Sequence, residues 1–166
     1  MAESLELEPL DVRHVRRLRE LHQQPGVLKW WGPMEAGFPF NEPESQRFAI
    51  VVDGELAGLI QWGDDSYEET RHAYVDIFVG DDYAGRGIGT QAMKRIARML
   101  IDDHGYHRII LDPAADNEAA IRSYEKAGFR RVGTLTRSYK EHRSGEWRDE
   151  LFMELVVEPA QPARRP

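Results

Sequence analysis

The 166-residue chain has a formal net charge of −7, with 41% hydrophobic and 31% charged residues. That length and balance fit one globular domain with a core of its own, and the acidic charge argues against a nucleic-acid partner, which selects a basic face. The lack of cysteine excludes disulfides, thiolate metal sites and a cysteine nucleophile.

In chain order, the N-terminal MAESLELEPL is acidic and has neither the basic nor the apolar region of a signal peptide. No apolar run approaches the length that spans a membrane, so the expectation is a cytoplasmic protein with no membrane partner. Leu5 and Leu7 alternate with acids, as in a short strand. The next stretch, 11–26, places Val12, Val15, Leu18 and Leu21 on one helical face with Asp11 as N-cap, and Pro25-Gly26 ends it. A loop or short helix then carries Trp30 and Trp31. RFAIVVDGELAGLIQW predicts a hairpin turning at Asp53-Gly54, a pair that tolerates positive φ. RHAYVDIFVG predicts another strand.

A helix is predicted over 87–105, with Ile88, Ala92, Ile96, Met99 and Leu100 inward and an end near Gly105. HRIILD is a strand stopped by Pro113. NEAAIRSYEKAG is a helix capped by Asn117 or Asp116 and stopped by Gly128. Two antiparallel strands close the chain. The order β-α-(α)-β-β-β-α-β-α-β-β implies an α/β (α+β) fold, with a single mixed, mostly antiparallel sheet of about seven strands and helices on both faces. The expected division is one domain over 1–158 and a frayed tail over 159–166.

DDYAGRGIGTQAM sets Gly85, Gly87 and Gly89 directly before a helix. Such a loop brings backbone N–H groups up to a phosphate; alternatively it is only the start of a helix. GIGTQA also satisfies the dinucleotide pattern G-x-G-x-x-A, with Asp112 about twenty residues on. That reading fails on context, because a hairpin rather than a βαβ unit precedes the loop. A P-loop is excluded because Thr90 has no preceding lysine.

AGRGIGT resembles the pyrophosphate signature Q/R-x-x-G-x-G/A of the GNAT N-acetyltransferases, which use acetyl-CoA. Gly87 and Gly89 fill its glycine positions, and Ala84 replaces the usual Gln or Arg. DNEAAIRSYEKAGF resembles the family's second signature through Asn117, Tyr124, Gly128 and Phe129. KWWG, YEET, YVDIFV and LDPAADNEAAIRSYEKAGF are similar to the aminoglycoside 6′-N-acetyltransferase branch, which contains antibiotic-resistance enzymes. The resemblance implies acetyl-CoA as cosubstrate, with Phe78, Val79, Gly85, Arg86, Gly87, Ile88, Gly89, Thr90, Asn117 and Tyr124 binding it. It implies a substrate site at Trp30, Trp31, Asp76 and Asp112, with Asp76 and Tyr124 catalytic. The partner is then a small-molecule amine, aminoglycoside-like or polyamine-like, and the protein a monomer or homodimer. A peptide N-terminal or protein lysine acetyltransferase, and a CoA-binding module without catalysis, stand as alternatives.

The chemistry is coherent with these residues. The acetyl thioester is already activated, so the protein must position an amine and manage protons. A carboxylate holds the ammonium and accepts its proton, directly or through water. A backbone N–H beside the thioester steadies the oxyanion, and a tyrosine hydroxyl serves the departing thiolate. Asp76 interrupts an apolar strand in which Val75, Ile77 and Val79 take one face and Tyr74, Asp76 and Phe78 the other. An aspartate there is disfavoured unless paired or functional. Asp112, before Pro113, either forms a turn or faces the acceptor. Tyr124 is core packing or the acid, and Asn117 a helix cap or a partner of the pantetheine arm. Adjacent helical residues point about 100° apart, so at most one of Trp30 and Trp31 fully faces the core; the other stacks on a substrate ring or lines the cleft, or both simply pack. The acids of DDSYEET (64–70), with Asp76, Asp112 and Glu150, form either a funnel for a polycation or a solvated loop. His104 and His107 straddle the helix-breaking Gly105 and have no further ligands nearby in sequence, so no metal is expected.

Overall fold

The computed structural model describes residues 4–158; the tail expected over 159–166 lies outside them. The chain forms β1 (Leu5–Pro9), α1 (Val15–His22), α2 (Pro25–Trp31), β2 (Gln46–Val52), β3 (Glu55–Asp65), β4 (His72–Val79), α3 (Ile88–Asp102), β5 (Arg108–Leu111), α4 (Glu118–Ala127), β6 (Arg130–Lys140) and β7 (Trp147–Val156). One seven-stranded sheet in the order β1-β2-β3-β4-β5-β7-β6 contains the seven strands. Neighbouring strands run antiparallel except β4 and β5, whose parallel pairing covers only Ala73–Ile109 and Tyr74–Ile110. Beyond those two rungs the strands separate, and the space between them becomes the site.

Local chemistry accounts for the elements. Asp53 (φ 49°) and Gly54 (φ 84°) turn the β2–β3 hairpin, as an Asp-Gly pair does in a two-residue loop with both residues left-handed. Gly87, at φ 80°, is the N-cap of α3, and Gly128, at φ 108°, ends α4. Of the two candidate caps before α4, Asn117 holds the position, and its Oδ1 accepts from the Ala120 N–H at 3.2 Å.

The predicted first helix divides into pieces. Asp11 caps a tight three-residue turn, Val12–His14, before α1 begins. That turn shifts the helical phase, so Val12 is 77% exposed instead of inward and His14 is buried. Pro25 occupies the first turn of α2, where its missing N–H costs nothing.

The two sheet faces are covered separately. Ile88, Ala92, Met93, Ile96 and Leu100 of α3 and Ile121 of α4 pack with Ile60, Val75 and Ile109. On the other face Leu18, Leu21 and Val27 pack with Leu59 and Phe78. The alternation expected along β4 therefore holds, with Val75, Ile77 and Val79 toward α3 and Phe78 toward α1 and α2. No helix among the described residues is long and apolar enough to cross a membrane.

Candidate active site

A cleft of about 840 Å³ opens where β4 and β5 part, within the size range of small-ligand sites. Its lining contains nearly every residue singled out from the sequence: Asp76, Phe78 and Val79 on β4, Gly85 and Gly87 to Thr90 at the start of α3, and Asp112, Asn117 and Tyr124 beyond β5. Trp30 and Trp31 form the wall supplied by α2. Arg86 is not part of the lining; its guanidinium lies 5.1 Å from the Tyr83 ring centroid.

The glycine loop is shaped by conformation rather than by crowding. Gly85 and Gly87 adopt positive φ, which favours glycine, and apart from the adjoining backbone nothing lies within 4 Å of where a Cβ would stand. Gly89 has an ordinary φ, and its missing Cβ points between Ser123 Oγ and Val79. Gly87 to Thr90 line the cleft, and the first N–H groups of a helix lack intrahelical partners, which suits an anion.

At the other end, three carboxylates converge. Asp76 reaches in from mid-β4 and Asp112 from the end of β5. The segment after Asp112 pairs with β7: Leu151 N–H donates to Pro113 C=O at 2.9 Å, and Ala115 N–H to Asp149 C=O at 3.0 Å. That pairing brings Glu150 into the cleft beside Asp112. Burial raises the carboxyl pKa of all three from its ordinary value; repulsion from Asp112 and Glu42 adds to this at Asp76, and repulsion from Asp112 and Asp76 at Glu150. Asp76 is open to solvent on the cleft side, but protein surrounds its carboxyl elsewhere. That enclosure, rather than the open side, sets the desolvation. Burial, reinforced by Asp76 and Asp112, also raises the Tyr124 phenol and keeps it protonated at neutral pH.

Both tryptophans are partly buried and both line the cleft. Trp31 packs edge-on against Phe78 and donates its Nε1–H to the Ile77 carbonyl at 3.0 Å. Trp30, under the Lys29 ammonium at 4.3 Å, faces the cleft and a smaller neighbouring pocket, and Tyr139 of β6 lines both. Nothing in the sequence around Tyr139 marks it as a cleft residue. It arrives through a register shift between Leu135 and Tyr139, where Arg137 takes a positive φ.

The acidic loop 64–70 does not join the carboxylates. It leaves the far end of β3 and lies near the C-terminus of α3, where Arg71 donates to the carbonyls of His104 and Gly105. The glycine loop is at the opposite end of that 15-residue helix, roughly 22 Å away at 1.5 Å per residue. Asp64 instead accepts from Tyr106 Oη at 2.7 Å, and Asp65 from Thr70. His104 packs its ring 5.0 Å from that of Trp62.

Comparison with known proteins agrees with this geometry. Residues 6–129 match the model of the acetyltransferase (GNAT) family. The spermidine N(1)-acetyltransferase of Escherichia coli (strain K12) is 28% identical, covering 92% of this chain and 86% of the relative. An aminoglycoside N(6′)-acetyltransferase type 1 of Klebsiella pneumoniae is 27% identical, covering 81% and 78%. A crystal structure of spermidine N-acetyltransferase from Vibrio cholerae in complex with CoA and spermine shares the fold, with a TM-score of 0.77 at 20% identity, covering 92% of this chain and 95% of that one. With the glycine loop, the parted strands and the family match in agreement, the chain belongs to the GNAT acetyltransferase family.

Proposed function

We propose that the protein transfers the acetyl group of acetyl-CoA directly to a primary amine of a small cationic acceptor, polyamine-like or aminoglycoside-like. The observation that carries this reading is the convergence of Asp76, Asp112 and Glu150 at one end of a cleft whose other end is the glycine loop. Helix amides at one end suit a pyrophosphate, and three carboxylates at the other suit an acceptor with more than one ammonium group. The acceptors named for the relatives, spermidine and aminoglycosides, are of that kind.

In this reading Gly85 to Thr90 hold the pyrophosphate, and Asn117 meets the pantetheine arm while capping α4. Phe78 and Val79 flank the thioester on β4. Asp76 binds the reacting ammonium and takes its proton. Its raised pKa makes it a stronger base than an ordinary aspartate. Tyr124, held protonated, donates to the departing thiolate. Asp112 and Glu150 hold the acceptor's remaining charge, and Trp30 packs on its carbon skeleton.

The test is acetyl-CoA-dependent thiol release measured with spermidine, kanamycin and neutral peptides over a range of salt. The polyamine or the aminoglycoside should turn over, with a KM that rises steeply with ionic strength. Turnover confined to neutral peptides would favour the peptide N-terminal alternative. A complete absence of thiol release, with CoA still bound, would favour the CoA-binding module.

The loop assignment has its own test. In Gly89→Glu, a carboxylate enters the space between Ser123 and Val79 and meets the pyrophosphate with like charge. Thermal stabilisation by CoA should disappear while the melting temperature of the free protein changes little. Undiminished stabilisation would move the pyrophosphate elsewhere.

A further inference from the structure

Behind Asp76, on the side away from the cleft, lies a buried polar cluster that the reaction as described does not use. Gln61 is opposite Asp76 in the β3–β4 register, and Arg47 is opposite Gln61 in the β2–β3 register. Both are buried, with 5% of Gln61 and 8% of Arg47 exposed. Neither lines the cleft. Arg47 donates from Nε to Gln61 Oε1 at 2.7 Å, and from Nη1 to the Pro39 carbonyl at 2.6 Å and Asn41 Oδ1 at 2.8 Å. Its Nη2 pairs with Glu42 at 3.0 Å.

This arrangement fixes the Gln61 amide. A guanidinium can only donate, so the amide oxygen must face Arg47. The Gln61 NH2 group is therefore turned toward the two carboxylates, 3.2 Å from Asp76 Oδ2 and 3.4 Å from Glu42 Oε2. The cation is also committed. Arg47 neutralises Glu42, and what reaches Asp76 is a neutral donor rather than a counter-ion. An arginine paired directly with Asp76 would occupy the place of the acceptor's ammonium.

Given the proposed role of Asp76, we infer that Gln61, locked by Arg47, is a positioning residue: it holds Asp76 by one oxygen and leaves the other to the acceptor's ammonium. Gln61 also favours the ionised form of Asp76, because a donor to a carboxylate stabilises its charge. The other groups facing Asp76 are Glu42 and Arg47 from the β2 side, Asp112 after β5, Tyr124 on α4 and Glu150 on β7. Asp112, Glu42 and burial oppose ionisation, and Arg47 adds a weaker favourable effect at longer range.

The test is the Asp76 titration, followed by carboxyl 13C NMR and assigned by the resonance lost in Asp76→Asn. Gln61→Met keeps the side chain's length and removes its donor. The Asp76 pKa should rise, and the acid limb of kcat/KM should move up with it. CoA affinity should not change. In the Asp76→Asn background Gln61→Met should have no further effect on kcat/KM, since the pair acts as one. If Gln61→Met does not fold, Arg47→Lys keeps a charge for Glu42, withdraws the Nε donor and should move the titration in the same direction. An unmoved titration in the folded variant overturns the inference and leaves Gln61 as packing. The failure of the catalytic reading looks different: Asp76→Asn would then retain full activity, whatever Gln61 does to the titration.

Discussion

Asp76→Asn is expected to lower kcat/KM for spermidine by roughly 10²-fold or more, about 2.7 kcal/mol of transition-state stabilisation, while CoA binds as before. The amide preserves shape and can still accept from Gln61, but it neither holds an ammonium strongly nor takes its proton. Stability should change in the opposite direction from activity. The fold raises the Asp76 pKa, through burial first and then through Asp112 and Glu42. A carboxyl whose pKa is raised on folding costs stability once pH exceeds its unfolded value. At neutral pH the variant should therefore melt at or above the wild-type temperature, and that difference should vanish in acid, where Asp76 is protonated in both states. An aspartate serving only to pair a structural cation would give the reverse, with a lower melting temperature and full activity per folded molecule.

Tyr124→Phe removes one hydroxyl and keeps the ring, including its packing 6.4 Å from Phe129. Loss of a general acid costs about 10²–10⁴-fold in rate, so kcat on a slow acceptor, for which chemistry is limiting, should fall within that range. The KM for the acceptor should change less, because the phenol's role lies at the thiolate. Near-wild-type kcat on such an acceptor would assign Tyr124 to packing. The raised Tyr124 pKa keeps the hydroxyl protonated across the working range, so no alkaline loss of activity from this group is expected near neutrality.

Features encoded within a few adjacent residues were the ones legible in the sequence. Asp53-Gly54, the Gly87 start of α3 and the span from Asn117 to Gly128 all state their own backbone geometry, and the structure places each as expected. Asp76 was legible because a lone acid in an apolar strand contradicts its neighbours. Gln61 and Arg47 carry the same signal, in GLIQW and QRFAIVV, but their relation to Asp76 exists only through the register of three strands. Tyr139 depends on an irregularity between β6 and β7 that alternation alone cannot place. The acidic loop stayed open between a funnel and a solvated loop for a related reason: composition reports charge but not which end of α3 the charge adjoins. Val12 failed because three residues of tight turn changed the helical phase.

The convergence of Asp76, Asp112 and Glu150 has a consequence for turnover in the proposed reaction. Acetylation converts an ammonium into a neutral amide, so the product carries one positive charge fewer than the acceptor that entered. Carboxylates that draw the acceptor in hold the product less firmly, and the reacted nitrogen no longer offers Asp76 a cation. The chemistry itself weakens the grip that assembled the complex. Product inhibition by N-acetylspermidine should accordingly be weak relative to the affinity for spermidine, and the difference should shrink as salt screens the three carboxylates.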